Sequence, residues 1–320
     1  MIRLILIMRR WLIPVLAVAL ALTAVATVVT TAVRIEPAGA SRSRVGVAAA
    51  FYPVAFAAQR VGGARVGVTN LTPVGAEPHD LELNSDQLDQ LLNAKVAFVL
   101  GSDFQPAVEK AAGRRDGPTV ELLPKLVDAR GKKVAKEGQT GGLDPHVWLD
   151  PVLMSQLVGE VERGLAAADP KGAATYERNM QALQDQLAAL DARYRERLTG
   201  CARSLLVTSH EAFGYLATRY GLQQQGVAGL SPDQEPDPAR LGDLAQLARD
   251  QGVTTVFTEE TVSPRIAQTL ARDAGGLRTD VLSPLESLSK KERADKADYF
   301  TLMDANLEKI ATALGCPPRS

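Results

Sequence analysis

The sequence is poor in the residues that bind metals through side-chain nitrogen or sulfur, with three histidines and two cysteines in 320 residues. It also lacks an excess of charge of either sign, since 36 basic residues balance 37 acidic ones. Without a basic surface there is no electrostatic attraction for nucleic acid, so nucleic-acid-binding proteins are excluded as a class. A composition of 46% hydrophobic and 23% charged residues is typical of a globular chain and excludes a disordered one.

A long uncharged apolar run occurs near the N-terminus, at residues 11–33, and Ala38–Ala40 fits a small-residue cleavage site. The run predicts that residues 1–40 are a signal peptide or an N-terminal membrane anchor, with cleavage favoured over retention. Everything that follows is then exported, because the preceding arginines stay in the cytoplasm. No cysteine lies near the run, so we expect no lipid attached through a cysteine. The arginines are Arg3, Arg9 and Arg10.

The two cysteines, Cys201 and Cys316, predict one disulfide bond, because a lone cysteine pair in an exported protein is usually oxidised. Closing a loop of this size would stabilise the fold by about 4–5 kcal/mol at most in the chain-entropy model. The bond would tie the extreme C-terminus to the start of the second half of the chain. Two free buried thiols are the alternative.

The chain is too long for one ordinary core and suits two lobes of about 120 residues each. Apolar strands alternate with helical segments, which predicts an α/β fold of two lobes, each a mainly parallel sheet flanked by helices. Apolar residues recur every three or four positions from Tyr176 to Tyr194, which predicts one long connecting helix. The predicted boundaries are 41–168 for the N-terminal lobe, 169–199 for the connecting helix and 200–320 for the C-terminal lobe.

Each histidine lies in a loop or at the end of a predicted strand. The three are His79, His146 and His210. Ligands bind to parallel α/β sheets where strands end and loops converge. Three imidazoles that met between two lobes would form a zinc site with one position left over, since neutral imidazole favours Zn²⁺ or Cu²⁺ and Mn²⁺ prefers more oxygen. Spacing alone carries no geometry here, so three unrelated surface or core histidines are the alternative.

The residues around the histidines form three motifs: PVGAEPHD at 73–80, DPHVWLDP at 144–151 and TSHEAFGY at 208–215. Through these motifs, about residues 44–316 resemble the zinc/manganese-type solute-binding proteins of metal ABC importers (cluster A-I or cluster 9). The resemblance implies two α/β lobes bridged by one long helix, with the metal held between them. It also implies that all three histidines are metal ligands. Manganese-type members are similar but carry a carboxylate at the position of His210, so a histidine there favours the zinc branch.

The fourth ligand is an open question. The resemblance implies an aspartate in the last loop before the closing helix, but this loop reads SPLES at 283–287. Glu286 is its nearest carboxylate and water is the rival ligand, while Asp280 and Glu77 rank lower. The loop at 131–142 contains no histidine, so we expect no metal-scavenging role for it. The predicted metal site is therefore His79, His146, His210 and Glu286.

For several residues near the predicted ligands, the sequence predicts supporting roles in orienting, capping or packing. Glu259 and Glu260 end a predicted strand, where they would either orient ligand imidazoles or form a solvated loop edge. Asp80 and Glu211 each follow a ligand histidine, and we expect them to cap helices that begin there. Trp148 is expected to pack against the wall of the site.

These features together predict an extracytoplasmic protein that captures Zn²⁺ as a transported ligand and delivers it to the permease and ATPase of an ABC importer. We expect a monomer that is not an enzyme and meets the membrane only through its N-terminal segment or the permease. Affinity should fall below about pH 6.5, where imidazole is protonated. The alternatives are a manganese- or iron-binding homologue and a surface metal-binding adhesin. A zinc hydrolase would need a general base aimed at a bound water, and no HExxH motif is present.

Overall fold

The structure is a computed structural model that describes residues 44–127, 143–232, 238–260 and 262–318. The predicted signal peptide or anchor at 1–40 and the predicted surface loop at 131–142 lie outside these ranges. Among the helices within the described ranges, none combines the length and the apolarity needed to cross a bilayer.

The first lobe is built on a four-stranded parallel sheet with the strand order β2-β1-β3-β4. Its strands are β1 Val45–Ala49, β2 Val66–Asn70, β3 Val96–Val99 and β4 Thr119–Glu121. The central strand β1 pairs Val47 with Val68 on one side and with Val96 on the other. Every residue of β3 is buried, as expected for an apolar strand in a parallel sheet with helices on both faces.

The second lobe repeats this arrangement with the strand order β6-β5-β7-β8. Its strands are β5 Leu205–Thr208, β6 Gln223–Gly226, β7 Thr255–Thr258 and β8 Arg278–Val281. All the strand pairs within the described ranges are parallel, and the residues of β5 and β7 are all buried. The predicted α/β fold with two parallel sheets is therefore confirmed.

Helices follow the strands in both lobes. In the first lobe they are α1 Tyr52–Gly62, α2 Ser85–Asn93, α3 Pro106–Ala112, α4 Leu123–Leu126 and α5 Pro151–Ala168. The connecting helix is α6 Ala173–Arg197. In the second lobe they are α7 Gly214–Arg219, α8 Pro238–Asp250, α9 Arg265–Asp273, α10 Lys290–Ala294 and α11 Tyr299–Leu314.

Helix α6 joins the two lobes. It has 25 residues and is about 38 Å long at a rise of 1.5 Å per residue. It packs against α1 and α5 of the first lobe and against α11 of the second. The predicted connecting helix is confirmed, and its first turn, Pro170–Gly172, is a 3-10 turn that leads directly into α6. Its buried stripe consists of Tyr176, Leu183, Leu187, Leu190 and Tyr194.

The predicted disulfide joins Cys201 to Cys316. Helix α11 ends just before it at Gly315, whose φ of 65° is the left-handed conformation that commonly ends a helix. The backbone N–H of Arg203 then donates to the carbonyl of Leu314 at 3.1 Å. The C-terminal helix is therefore fastened to the start of the second lobe.

One large cluster of buried apolar side chains extends from the first lobe into the second. At the junction, Phe51 and Trp148 of the first lobe and Leu285 and Tyr299 of the second are all completely buried. The hydroxyl of Tyr299 donates to the carbonyl of Trp148 at 2.6 Å. Continuous packing at this junction supports the loops that carry the predicted site.

Candidate metal centre

Three of the four predicted ligands lie in loops that follow the carboxyl ends of parallel strands, and the fourth, His146, lies directly before the 3-10 turn Val147–Leu149. His79 lies in the loop after β2, and His210 lies two residues after β5. His146 precedes α5, and Glu286 lies between β8 and α10. Parallel sheets bind ligands at this edge, because the loops of neighbouring strands meet there. The fold therefore brings together four side chains that are far apart in the sequence.

A carboxylate oxygen lies among the three imidazoles. Oε1 of Glu286 is 3.1 Å from Nε2 of His146, 3.3 Å from Nε2 of His210 and 3.5 Å from Nε2 of His79. The Nε2 atoms of His146 and His210 are 3.3 Å apart. One ligand atom from each of the four residues lies within 4.8 Å of all the others. Tetrahedral bonds of about 2.0–2.1 Å separate ligand atoms by about 3.3 Å, so this spacing suits one zinc-sized ion.

The centre is almost closed to solvent. The side chains of His146 and His210 are 0% exposed, that of Glu286 is 2% exposed and that of His79 is 10% exposed. Nε2 of His79 and Oε2 of Glu286 are buried without a hydrogen-bond partner. Buried polar atoms without a partner are costly unless a bound ligand satisfies them. Both orphaned atoms are groups that bind a cation.

Two further carboxylates contact the buried imidazoles at Nδ1, on the side of each ring that faces away from the centre. Oδ1 of Asp144 is 2.8 Å from Nδ1 of His146, and Oε1 of Glu259 is 2.7 Å from Nδ1 of His210. A carboxylate at Nδ1 accepts the ring N–H, which leaves the lone pair on Nε2. Both rings therefore present Nε2 to the centre as a metal-binding atom.

Burial and charge act in opposite directions on the ionisable groups of the centre. Burial lowers the pKa of His210, but the carboxylates of Glu259 and Glu286 outweigh it and raise the pKa well above its usual value. Burial also opposes the charge on His146, yet Asp144 and Glu286 raise its pKa. Burial raises the pKa of Glu286, but the surrounding imidazoles hold it well below its usual range. The carboxylates therefore favour protonation of these imidazoles, and protons compete with a metal ion for Nε2.

The other two carboxylates considered as the fourth ligand, Glu77 and Asp280, do not lie among the three imidazoles. Oε1 of Glu77 is 4.0 Å from Nε2 of His79 and accepts the backbone N–H of that residue at 3.1 Å. Burial and the charge of Glu286 raise the pKa of Glu77 to about 8. Asp280 is exposed on β8, where its Oδ1 accepts the N–H of Val281 at 2.8 Å. The carboxylate that the fold brings among the imidazoles is that of Glu286.

Glu259 contacts a predicted ligand, as one of the two sequence-based interpretations expected, whereas its neighbour Glu260 is exposed. Asp144 was not predicted to contact His146. The local sequence contains a signal for it, since Oδ1 of Asp144 also accepts the backbone N–H of His146 at 3.0 Å. An aspartate that bonds the backbone two residues later forms an Asx turn, and this turn sets the carboxylate beside the ring.

The predicted capping roles of Asp80 and Glu211 are wrong. Helix α2 begins later than Asp80 and is capped by the side chain of Asn84. Helix α7 begins three residues after Glu211, at Gly214, and its N-cap residue is Phe213. The backbone N–H of Glu211 donates to the carbonyl of Gly229 at 2.7 Å. The Glu211 carboxylate accepts instead from Arg240 at 2.8 Å.

Aromatic side chains form one wall of the centre, as predicted for Trp148. The Trp148 ring lies 5.2 Å from that of His146 and 4.7 Å from that of Phe51, measured between centroids. The Phe104 ring lies 4.6 Å from that of His79. This apolar wall limits the access of water, which strengthens electrostatic interactions in the centre.

Comparisons with known proteins identify relatives over most of the chain. The zinc-binding lipoprotein AdcA of Streptococcus pneumoniae serotype 4 is 33% identical over 277 residues, which is 83% of this chain and 55% of AdcA. This chain thus spans about half the length of that relative. The high-affinity zinc uptake system protein ZnuA of Bacillus subtilis is 32% identical over 282 residues, covering 85% of this chain and 88% of ZnuA.

Solved structures and a family model agree with these relatives. The Zn(II)-bound ZnuA-like domain of S. pneumoniae AdcA matches with a TM-score of 0.69 and 31% identity, covering 85% of this chain and 99% of that domain. The model of the family described as zinc-uptake complex component A, periplasmic, matches residues 47–313. Since this match includes both sheets and the connecting helix, the chain belongs to the ZnuA family of periplasmic zinc-uptake components.

Proposed function

We propose that this chain is the extracytoplasmic binding component of a zinc importer. It captures Zn²⁺ between its two lobes and delivers the ion to an ABC permease that works with a cytoplasmic ATPase. The observation that carries the proposal is the separation of 3.1–3.5 Å between Oε1 of Glu286 and three imidazole nitrogens. This separation corresponds to the edges of a tetrahedral zinc site. Zinc is the transported ligand, so the chain holds it and releases it unchanged.

The proposed ligands are His79, His146, His210 and Glu286. Three imidazoles and one carboxylate favour zinc over manganese, because Mn²⁺ prefers a larger set of oxygen ligands. The carboxylates behind His146 and His210 strengthen the assignment, since metal-bound imidazoles commonly donate their other N–H to such a group. The printed names of the AdcA and ZnuA relatives, which refer to zinc, support the same ion.

The location and the partners are proposed from the relatives. Names that describe a periplasmic component and a lipoprotein support an exported chain, and the name of the B. subtilis relative supports an uptake system as the partner. We assign export to residues 1–40, acting as a signal peptide or an anchor. The proposed division of the exported part remains 41–168, 169–199 and 200–320, and the proposed state is a monomer.

The proposal includes no catalytic reaction. When Glu286 binds the ion, four protein ligands complete the tetrahedron and leave no position for an activated water. The same carboxylate is then a ligand and cannot serve as the general base that a hydrolase needs. We expect the zinc-loaded chain to hydrolyse neither esters nor peptides.

The test is an equilibrium titration of the metal-free full chain with Zn²⁺ and Mn²⁺, in competition with a chelator. We expect one tightly bound Zn²⁺ per chain, a preference for zinc and weaker binding in His210→Ala and Glu286→Ala. Glu260→Ala is the matched control, because that exposed carboxylate lies outside the centre. A preference for manganese, or unchanged zinc affinity in His210→Ala, would overturn the proposal. Unchanged affinity and coordination in Glu286→Ala would assign the fourth position to water or another residue.

A further inference from the structure

We propose that Ser287 is a positioning residue that holds Glu286 in the metal centre and thereby sets how long zinc stays bound. The inference rests on the proposed function and adds a residue that contacts neither the ion nor an imidazole. It concerns the link between two loops, one from each lobe. The first-lobe loop runs from residue 71 to 84 and carries His79, and the second-lobe loop runs from residue 282 to 289 and carries Glu286.

The two loops are joined directly through the residue that follows Glu286. Oγ of Ser287 donates to the carbonyl of Pro73 at 3.1 Å and accepts the backbone N–H of Gly75 at 3.0 Å. The same N–H also donates to the carbonyl of Leu288 at 2.8 Å, a backbone bond between the two loops that does not use the Ser287 hydroxyl. The Leu288 carbonyl is also 3.4 Å from Oγ, so Pro73 is the nearer acceptor for the single hydroxyl proton. Ser287 is 7% exposed, so water competes little for these bonds.

A second bond fixes the same loop on the other side of Glu286. The indole Nε1 of Trp148, which belongs to the first lobe, donates to the carbonyl of Pro284 at 2.7 Å. First-lobe groups therefore hold the second-lobe loop both before and after the carboxylate. The position of Glu286 between the imidazoles depends on contacts that its own lobe does not supply.

The backbone next to Glu286 needs such support. Leu285 has a φ of 56°, in the left-handed region that a side chain with a Cβ rarely adopts. Conformations of this kind persist only where surrounding contacts hold them. Loss of the Ser287 hydroxyl would leave the loop freer to relax and to withdraw the carboxylate from the centre. The coordination would then drop from four protein ligands to three.

Ser287→Ala removes the hydroxyl without adding bulk, so it tests the link directly. The loss of one buried hydrogen bond should speed zinc dissociation roughly three- to tenfold. Ser289→Ala is the matched control. Its hydroxyl belongs to the same loop but accepts the N–H of Glu292 at 3.2 Å, within its own lobe, and we expect no change in dissociation.

The experiment measures zinc dissociation from the loaded full chain after mixing with an excess of a coloured chelator. It compares wild type, Ser287→Ala, Ser289→Ala, Glu286→Ala and the double variant Ser287→Ala/Glu286→Ala. A positioning role predicts faster dissociation in Ser287→Ala and no further effect, within about twofold, when Glu286 is already absent. An equal acceleration in both backgrounds, or none in either, overturns the inference. An equal effect of Ser289→Ala also overturns it.

Zinc binding by the wild-type chain and zinc dissociation from Ser287→Ala distinguish a failure of the proposed function from a failure of this inference. A wild-type chain that binds no zinc contradicts the proposed function, whereas normal zinc binding with unchanged dissociation in Ser287→Ala contradicts this inference alone. If Ser287→Ala does not fold, Ser287→Cys replaces it, because the thiol is a weaker donor of similar size. Zinc dissociation from Ser287→Cys that is faster than from wild type supports the inference, and dissociation at the wild-type rate overturns it.

Discussion

Glu259 holds His210 from the side of the ring that faces away from Glu286. Oε1 of Glu259 lies 2.7 Å from Nδ1 of His210, and Nε2 of the same ring lies 3.3 Å from Oε1 of Glu286. Glu259 also accepts the backbone N–H of His210 at 3.3 Å. The carboxylate thereby sets both the orientation and the tautomer of the imidazole.

Glu259→Gln is therefore expected to weaken zinc binding although Glu259 is not a proposed ligand. Loss of a carboxylate behind a metal-bound imidazole typically costs roughly 10- to 100-fold in metal affinity. A zinc titration in competition with a chelator measures the change. Glu260→Gln is the control, since this exposed neighbour lies outside the centre. Equal affinities for Glu259→Gln and wild type would show that the contact does not support zinc binding.

Zinc affinity should depend on pH because protons compete with the ion for Nε2. Carboxylates outweigh burial and raise the pKa of both His146 and His210 in the metal-free centre. Each imidazole is therefore protonated at a higher pH than an ordinary one. As the pH is lowered, zinc affinity should already decrease before pH 6.5 is reached. Zinc titrations at several values between about pH 5 and 8 test this. A constant affinity across that range would contradict the prediction.

Arg219 links three elements of the fold, and its removal should destabilise the chain. Its Nε lies 2.7 Å from Asp191 of α6 and 3.3 Å from Asp150 at the start of α5. Arg219→Met should lower the free energy of unfolding by about 1–2 kcal/mol, measured by urea denaturation at pH 7. Arg272→Met is the control, because Arg272 is 73% exposed and exposed ion pairs contribute little. Equal losses in the two variants would contradict the prediction.

The same variant should change how stability depends on acid. Burial raises the pKa of Asp191, but the hydrogen bonds from Arg219, Arg195 and Tyr220 outweigh it and hold the pKa below its usual range. A depressed carboxyl pKa stabilises the folded state above the unfolded value, about 3.9, and this stabilisation is lost as the pH falls through the lower folded value. Urea denaturation at pH 7 and pH 3 should show a smaller acid-induced loss in Arg219→Met than in wild type. An identical loss of stability between pH 7 and pH 3 in the two proteins would show that the pair of Arg219 and Asp191 makes no such contribution.

The disulfide between Cys201 and Cys316 should stabilise the fold without affecting zinc binding. Breaking it releases the end of α11 and increases the entropy of the unfolded chain, which should cost about 2–5 kcal/mol. Thermal unfolding with and without a reductant measures the loss. The double variant Cys201→Ser/Cys316→Ser is the control and should be insensitive to the reductant. A melting temperature that reduction does not lower would contradict the prediction.

Much of the fold could be predicted from periodicity. The alternation of apolar strands with helices predicted two parallel sheets, which are present, and the connecting helix α6 at 173–197 lies within the predicted range 169–199. The short helices α4 and α10, with four and five residues, were missed because barely one turn leaves no period to detect. The helix that was expected to begin beside Glu211 begins at Gly214 instead.

The sequence by itself determined which side chains are available to bind a metal, because an imidazole carries its ligand chemistry wherever the chain places it. Tertiary structure decided which other residues join them. It brings Glu286 among the imidazoles, leaves Glu77 at the edge and Asp280 on an exposed strand, and sets Asp144 and Glu259 behind the rings. Glu259 meets His210 because their strands β7 and β5 are neighbours in the second sheet, whereas Glu286 meets His79 and His146 only once the two lobes have packed together.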